Sequence, residues 1–326
     1  MNDPNDDRLS QSLDYLDENT DIEFWEQKNI IALRDYLGVI TFDKNQAPQN
    51  DIKILTSAYF ERAMDILLTQ LVKDDRFPRE SKVFGEVYSS LYSYMLHSSN
   101  KTGTNAEILL RLADDKITRN PQNNVATIQE LIEWIHPPRP SSKELWLDIV
   151  ELGIYHGTGK EYLFNTFQTW IQIILDAPIS FERPYLEVLL SLSEWFGDYA
   201  ESWGEKVDEK LSESTFEKTD PILLLPDGFR IIIYTLDEPS GQRVRDVLNK
   251  RNSNIDIVLC HEKTMTKQVE NLTKNSDMHV LVTTCMKHSL FYGISEYIKT
   301  PVYPKSRGSS SILRAIEERT VAINLK

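Results

Sequence analysis

The spacing of apolar residues changes after Pro226, from a helical period to short apolar runs that alternate with amphipathic stretches. Short apolar runs bounded by turn residues are typical of buried strands. We predict four strands, at residues 229–236, 255–260, 278–284 and 301–303, with a last helix at 311–318. Strands that alternate with helices form parallel sheets through right-handed crossovers. This part is therefore predicted to be a small Rossmann-like domain with strand order 2-1-3-4.

Upstream, the apolar positions follow the i, i+3, i+4, i+7 spacing of amphipathic helices. Candidate helices run near residues 21–40, 51–74, 80–97, 104–118, 125–136, 142–156, 160–176 and 183–211. The sequence has no clean repeat, which favours an irregular helical bundle over a stack of helix pairs. The predicted fold class is α plus α/β, with this bundle followed by the parallel sheet.

Polar segments set the predicted domain boundaries. Residues 1–20 are acidic with little to bury, so they are interpreted as a disordered leader. A helical domain at 21–211 is followed by a polar linker at 212–220, and the Rossmann-like domain occupies 221–326. The apolar run 222–225 lies between two prolines and is too short to classify, but it is a candidate contact between the two halves.

Composition indicates a soluble globular protein. The 326 residues are 40% hydrophobic and 26% charged, and no apolar run approaches the roughly 20 residues that span a bilayer. The polar N-terminus does not resemble a signal peptide. Two cysteines, Cys260 and Cys285, make a disulfide scaffold unfavourable, so reduced thiols are expected. These features predict a cytoplasmic protein with no membrane partner.

Charge divides the chain into unlike halves. Residues 221–326 hold 15 Lys and Arg against 11 Asp and Glu, a balance of +4, whereas the remainder has a balance of −18. Such asymmetry suggests different partners for the two halves. We expect the acidic helical half, which holds all six Trp, to bind a protein partner. The alternative is that most of these Trp are core residues.

Candidate chemistry collects where the strands end. Open parallel sheets bind ligands beside the carboxyl ends of their strands, where the winding reverses. The loop after the first strand contains Ser240, and the loop after the third contains Lys287 and His288. The loop after the fourth, residues 305–310, opens directly into a helix. We expect these loops to border one crevice that receives a nucleotide or another phosphate.

The loop at 305–310 has the features of an anion site. Lys305 and Arg307 supply positive charge, and Gly308 allows close backbone approach. The backbone N–H groups of Gly308 and Ser309 are expected to face open space at the positive end of the last helix. The alternative is that Ser309 or Ser310 is an ordinary N-cap and that the cations are solvated.

His288 is the candidate polar group of the third loop. A neighbouring Lys287 and a helix N-terminus both favour a neutral imidazole, which donates one hydrogen bond and accepts another. The alternative is a capping or partly buried histidine. Cys285 lies three residues before His288, which makes the two residues a candidate nucleophile and base, but no orienting acid is identifiable. No catalytic residue is assigned.

Several familiar motifs are missing from the sequence. The residues 156–161 suggest a phosphate loop, but their spacing and the Glu161 at the magnesium position do not fit. The first strand's turn has one glycine, Gly241, so a dinucleotide fingerprint is absent. The His and Cys residues show no metal-ligand spacing, and we predict neither a metal nor a cofactor.

Two runs, residues 282–288 and 303–316, resemble a bacterial domain of unknown function, DUF2325. The resemblance covers about the last third of the chain. It implies a small Rossmann-like unit with a histidine in a late loop and a basic, Gly/Ser-containing turn before the last helix. It therefore directs attention to His288, Lys305 and Arg307 and implies no known activity.

Three functional interpretations follow. The leading one is a non-catalytic subunit or regulator of a cytoplasmic bacterial system, whose helical half binds protein and whose C-terminal domain binds a phosphate-bearing ligand. The second is an enzyme acting on a nucleotide or nucleic acid through His288, with Cys285, Glu238 or Asp237. The third is a structural scaffold whose C-terminal fold serves packing alone. Fold class does not distinguish them.

Overall fold

A computed structural model describes residues 89, 92–93, 95–96, 103–137, 139–177, 181–213 and 220–324. The predicted leader, the predicted helices at 21–40 and 51–74, and residues 214–219 of the predicted linker lie outside the described residues. The chain forms two compact units, one up to Asn123 and one from Asn124 onward. The helices from residue 124 to 213 thus share a unit with the C-terminal sheet. The predicted boundaries at residues 20, 211 and 220 stay predictions.

The described part of the first unit is mainly one helix, α1, at Gly103–Arg119. Its buried face carries Leu109, Leu112 and Ile117, as the predicted amphipathic pattern at 104–118 requires. The ammonium of Lys116 lies 4.2 Å from the ring centroid of Tyr92.

Five helices open the second unit, and they follow the predicted ones closely. They are α2 at Asn124–Ile135, α3 at Lys143–Tyr155, α4 at Lys160–Asp176, α5 at Arg183–Phe196 and α6 at Glu201–Glu213. The single helix predicted at 183–211 is two helices, joined by a 3-10 turn at Gly197–Ala200. Gly197 has φ of +65°, a left-handed conformation that ends α5 and that a side chain would disfavour.

Aromatic side chains fill the core between these helices. Trp146 and Trp170 stack with ring centroids 5.4 Å apart, and Phe167 packs 4.8 Å from Trp170. Of the five tryptophans in the described residues, Trp195 is half-buried and the others are buried. The tryptophans of this region therefore stabilise the helical core, as the alternative interpretation holds.

The C-terminal part is a four-stranded parallel sheet, as predicted. Its strands are β1 at Arg230–Tyr234, β2 at Asp256–Cys260, β3 at Met278–Leu281 and β4 at Pro301–Val302. The spatial order is β2-β1-β3-β4, and every neighbouring pair is parallel. Ile231, Ile232 and Ile233 are fully buried, which explains why this strand is a continuous apolar run in the sequence.

Helices cover both faces of the sheet. They are α7 at Glu238–Arg251, α8 at Lys267–Lys274, α9 at His288–Ile294 and α10 at Ser309–Asn324. On one face, Val269 of α8 and Leu290 of α9 pack in a cluster with Tyr234. On the other face, α7 and α10 contact each other and also contact α5, and α7 contacts α3. The helical layer thus lies directly against the sheet domain within one unit.

A buried ionic network joins these layers. The Arg251 side chain of α7 is only 2% exposed and pairs with Glu187 of α5 and Glu317 of α10. Asp220 lies 3.7 Å from Arg251 and 2.7 Å from Arg183. The apolar run at 222–225 lies nearby: residues Pro221–Leu224 form a 3-10 turn against α10, and the Ile222 side chain is fully buried.

Within the described residues, none of the helices combines the length and apolar character that membrane crossing requires.

Candidate functional site

The candidate site lies at the carboxyl ends of the strands, where β1 leads into α7. Asp237 is the N-cap of α7, and its Oδ1 accepts a hydrogen bond of 3.1 Å from the Ser240 backbone N–H. Ser240, a predicted ligand residue, is fully buried in this first turn. The cap fixes the direction in which the Asp237 carboxylate faces the turn that precedes α10.

Arg307 pairs with that carboxylate. Its Nη2 and Nε lie 2.9 and 3.1 Å from Asp237 Oδ2, and its guanidinium carbon lies 4.6 Å from the ring centroid of Tyr155. The side chain is 8% exposed and that of Asp237 is fully buried. Arg307, predicted as a phosphate ligand, is therefore bound to a carboxylate of the chain itself and stacked on α3.

The positive end of α10 also receives a carboxylate from within the chain. The Ser309 backbone N–H donates to Glu151 Oε2 at 2.8 Å, and the Ser309 hydroxyl donates to Glu151 Oε1. Arg243 of α7 donates to the same Oε1 from Nε at 2.9 Å. This geometry corrects the expectation that the N–H groups of Gly308 and Ser309 face open space, because both residues are buried under α3.

Glu151 is one of three carboxylates on the same face of α3. Glu144, Asp148 and Glu151 are spaced i, i+4, i+7, which places them in one row along a helix. Glu144 accepts a 2.9 Å hydrogen bond from the Ser310 hydroxyl and lies 2.7 Å from Arg314. Asp148 accepts a hydrogen bond of 3.3 Å from the Ser306 hydroxyl. We call Glu144, Asp148 and Glu151 the carboxylate stripe.

Burial perturbs the protonation of Asp148. Burial raises its pKa well above the ordinary aspartate value, and the negative charges of Glu151 and Glu144 raise it further. The Ser306 hydroxyl and the charge of Arg307 oppose this shift. The residue is buried, at 8% exposure, and its neutral form is favoured over a wider pH range than in an ordinary aspartate.

Gly308 lacks a side chain at the point where the carboxylate stripe of α3 comes closest to the turn before α10. A Cβ at this position would lie 2.0 Å from Asp148 Oδ1 and 2.8 Å from Glu151 Oε2. Gly308 was predicted to allow close approach of a phosphate; in the structure it allows close approach of the Asp148 and Glu151 carboxylates.

We expect Gly308→Ala to lower the free energy of unfolding by about 1–3 kcal/mol, because the added methyl group forces α3 away from α10. Gly159→Ala is the matched control, since a Cβ there meets nothing within 4 Å and that residue also precedes a helix. Urea unfolding of both variants measures the difference. Equal midpoints for the two variants would contradict the close approach.

Two other predicted ligand residues, Lys305 and Lys287, are more exposed than Ser240, Arg307 and Ser309. Lys305 is exposed at the start of the turn, and Lys287 is half-buried at the N-cap of α9. His288 begins α9, but its side chain lies outside the described part of the structure. The structure thus brings Ser240, Arg307 and Ser309 together through Asp237, Glu151 and Arg243. Of the last three, sequence reasoning named only Asp237, as an acid of the enzyme alternative.

The described histidines and cysteines near the sheet have structural surroundings. His261 Nδ1 is 2.6 Å from the Thr235 carbonyl oxygen, and His279 Nε2 is 2.8 Å from that of Thr273. Burial lowers the pKa of His279, which favours its neutral form, and raises the pKa of the Cys260 thiol. Cys285 is also buried. These environments favour packing over nucleophilic chemistry.

The fold and site define a class of protein: a small Rossmann-like parallel sheet packed on a helical layer that places the Glu151 carboxylate at the N-terminus of the last helix. One family model matches residues 50–315, and its description is DpdD-like. The match covers more than half of the chain, so the chain belongs to the DpdD-like family, a bacterial family associated with DNA modification.

The family match extends well beyond the C-terminal third and into the helical half. The resemblance to DUF2325 is not confirmed by it. No curated protein and no solved structure matched the chain in the corresponding comparisons.

Proposed function

We propose that this chain is a non-catalytic component of a cytoplasmic bacterial DNA-modification system. In this role the helical part binds a partner protein and the C-terminal sheet binds a phosphate-bearing ligand. Membership of the DpdD-like family supports the system. The non-catalytic role rests on one observation: the buried charges at the strand ends pair within the chain, Arg307 with Asp237 and Arg243 with Glu151.

The pairing leaves these groups poorly suited to acid–base work. Asp237 is held by Arg307 and by the first turn of α7, and Glu151 is held by Arg243 and Ser309. A general base needs an accessible lone pair near the substrate proton, whereas these carboxylates are buried and already accept several hydrogen bonds. The enzyme alternative depends on His288, whose side chain is outside the described residues.

The phosphate-binding part of the proposal rests on two lysines at the strand ends that are at least partly exposed to solvent. Lys305 is exposed beside the Arg307 turn, and Lys287 is half-buried at the start of α9. A phosphate held by these lysines would sit outside the Glu151 contact. The scaffold role is a second candidate, and the filling of the α10 N-terminus by Glu151 favours it.

We expect Lys305→Ala to weaken the binding of a nucleotide or a short DNA oligonucleotide by about tenfold, because one charge-assisted contact is lost. The measurement is calorimetric titration of the full chain with a nucleotide panel and with single- and double-stranded oligonucleotides. Lys299→Ala is the control, since this lysine is also exposed but precedes β4. Arg307→Ala is a poor test because it also leaves the buried Asp237 carboxylate without its guanidinium partner.

Binding by the wild-type chain that Lys305→Ala weakens and Lys299→Ala leaves unchanged supports the ligand-binding role. Absence of binding by the wild-type chain, or equal loss in both variants, would reject this ligand site and favour the scaffold role.

A further inference from the structure

We infer that the carboxylate stripe is a pH-sensitive latch that holds α3 against the Lys305–Gly308 turn and α10, with the charge of Asp148 as its switch. The latch is a property of the contact between α3 and α10. It does not depend on the proposed ligand.

The latch consists of three contacts in a row. Glu151 holds the Ser309 N–H and hydroxyl, Asp148 holds the Ser306 hydroxyl, and Glu144 holds the Ser310 hydroxyl. Each member of the stripe therefore meets a serine within five residues of the start of α10. These serines span the connection between the exposed Lys305 and the helix, so docking of the stripe adds three contacts to a turn that Arg307 also anchors to Asp237.

The three carboxylates of the stripe differ in their arginine partners. Arg243 lies against Glu151, and Arg314 lies against Glu144 and also 2.6 Å from Glu182. Arg307 is bonded to Asp237. The described contacts thus give Asp148 a hydroxyl partner, while its two neighbours on α3 have guanidinium partners.

An ionised Asp148 would add a second negative charge beside Glu151 in a buried position. Two carboxylates in one site oppose simultaneous ionisation, and burial penalises the charge further. The neutral carboxyl removes this repulsion. The raised pKa of Asp148 agrees with this geometry, since burial and then Glu151 and Glu144 are its causes.

Several charged or titratable groups surround the switch. On α3 they are Glu144 and Glu151; from the turn before α10 comes Arg307; the other elements supply Asp237, Arg243, Arg314, Glu182 and the buried Tyr185. Burial and the charge of Glu144 raise the pKa of Tyr185 well above its ordinary value. That phenol therefore stays neutral across the range in which Asp148 ionises.

The direction of the pH effect follows from the raised pKa. The docked state holds the Asp148 proton more tightly than a state in which α3 is undocked. Its stabilising contribution is complete below the ordinary aspartate pKa and is lost as the pH rises through the raised value. The latch is therefore closed at low pH and loosens as the pH increases.

The test is hydrogen–deuterium exchange of the full chain at several pH values, corrected for the intrinsic exchange rate. We expect protection in the segment 305–312 to fall with rising pH, by up to about tenfold per pH unit within the window. Asp148→Asn keeps the shape of the side chain but cannot ionise, so protection of the segment 305–312 in this variant should stay high and nearly constant with pH. Asp246→Asn, an exposed carboxylate of α7, is the control and should behave as wild type.

Constant protection in the wild-type segment, or the same pH response in Asp148→Asn, would overturn the latch. Failure of Asp148→Asn to fold would overturn it as well, because the proposal makes the neutral side chain the stable form. A flat wild-type pH series rejects the latch without any variant, and a falling series supports it only when Asp148→Asn removes the fall.

Discussion

Replacement of Glu151 by alanine is expected to lower the free energy of unfolding by about 3–5 kcal/mol, the range found when one partner of a buried ion pair is removed. The Glu151 side chain is 1% exposed and lies 2.8 Å from Arg243 Nη2. Its loss leaves the Arg243 guanidinium and the Ser309 N–H in a buried place without their acceptor. An unmet buried charge costs more than the pair itself contributes.

A double-mutant cycle with Arg243→Met separates these two effects. Removing both charges should cost less than the sum of the single changes, with an interaction of about 0.5–3 kcal/mol. Urea unfolding followed by tryptophan fluorescence is suitable, because Trp146 of α3 lies on the same helix as Glu151. Strict additivity of the two substitutions would mean that the pair is not coupled.

The surface pair between Lys250 and Glu194 provides a matched control. Its atoms lie 3.0 Å apart and it also joins α7 to the helical layer, but both side chains are more than half exposed. Exposed pairs contribute little because solvent screens them. We therefore expect Glu194→Ala to cost less than about 1 kcal/mol. A cost equal to that of Glu151→Ala would show that burial does not decide the effect.

The sheet could be predicted from the sequence because its strands are buried on both faces. A strand such as Arg230–Tyr234 then reads as a continuous apolar run between helical patterns. Right-handed crossovers restrict the order of four such strands, and the order 2-1-3-4 is confirmed. The break at Gly197 was missed because one glycine in a helical pattern does not reveal its φ angle.

The chemistry of the strand ends was only partly predictable. The sequence correctly placed the basic turn before the last helix, but it gave no indication of what that turn would face. A periodicity argument assigns charged positions to the solvent side of a helix. Asp148 and Glu151 break that rule, since their helix is buried on nearly every side. The sequence feature that indicated a buried acidic contact was the i, i+4, i+7 row of carboxylates within an otherwise apolar helix.

The buried stripe also bears on how the sheet domain folds. The sequence predicts a separate Rossmann-like domain at residues 221–326. In the structure, however, Arg243 and Arg251 of α7 take their carboxylate partners Glu151 and Glu187 from α3 and α5. Both α7 and α10 are covered by this layer. The contacts predict that the sheet and the helical layer fold together.

We therefore expect a fragment of residues 124–326 to unfold in one cooperative thermal transition. A fragment of residues 220–326 should already be unfolded at 25 °C and should show no cooperative transition on heating. Removing the layer exposes side chains on α7 and α10 whose burial contributes roughly 1.5–3 kcal/mol each. About five such losses amount to roughly 8–15 kcal/mol, which is comparable with the roughly 5–15 kcal/mol that keeps a typical domain folded. Circular dichroism during heating measures both fragments. Reversible cooperative melting of residues 220–326, at a temperature near that of the longer fragment, would contradict joint folding and make the sheet an independent domain.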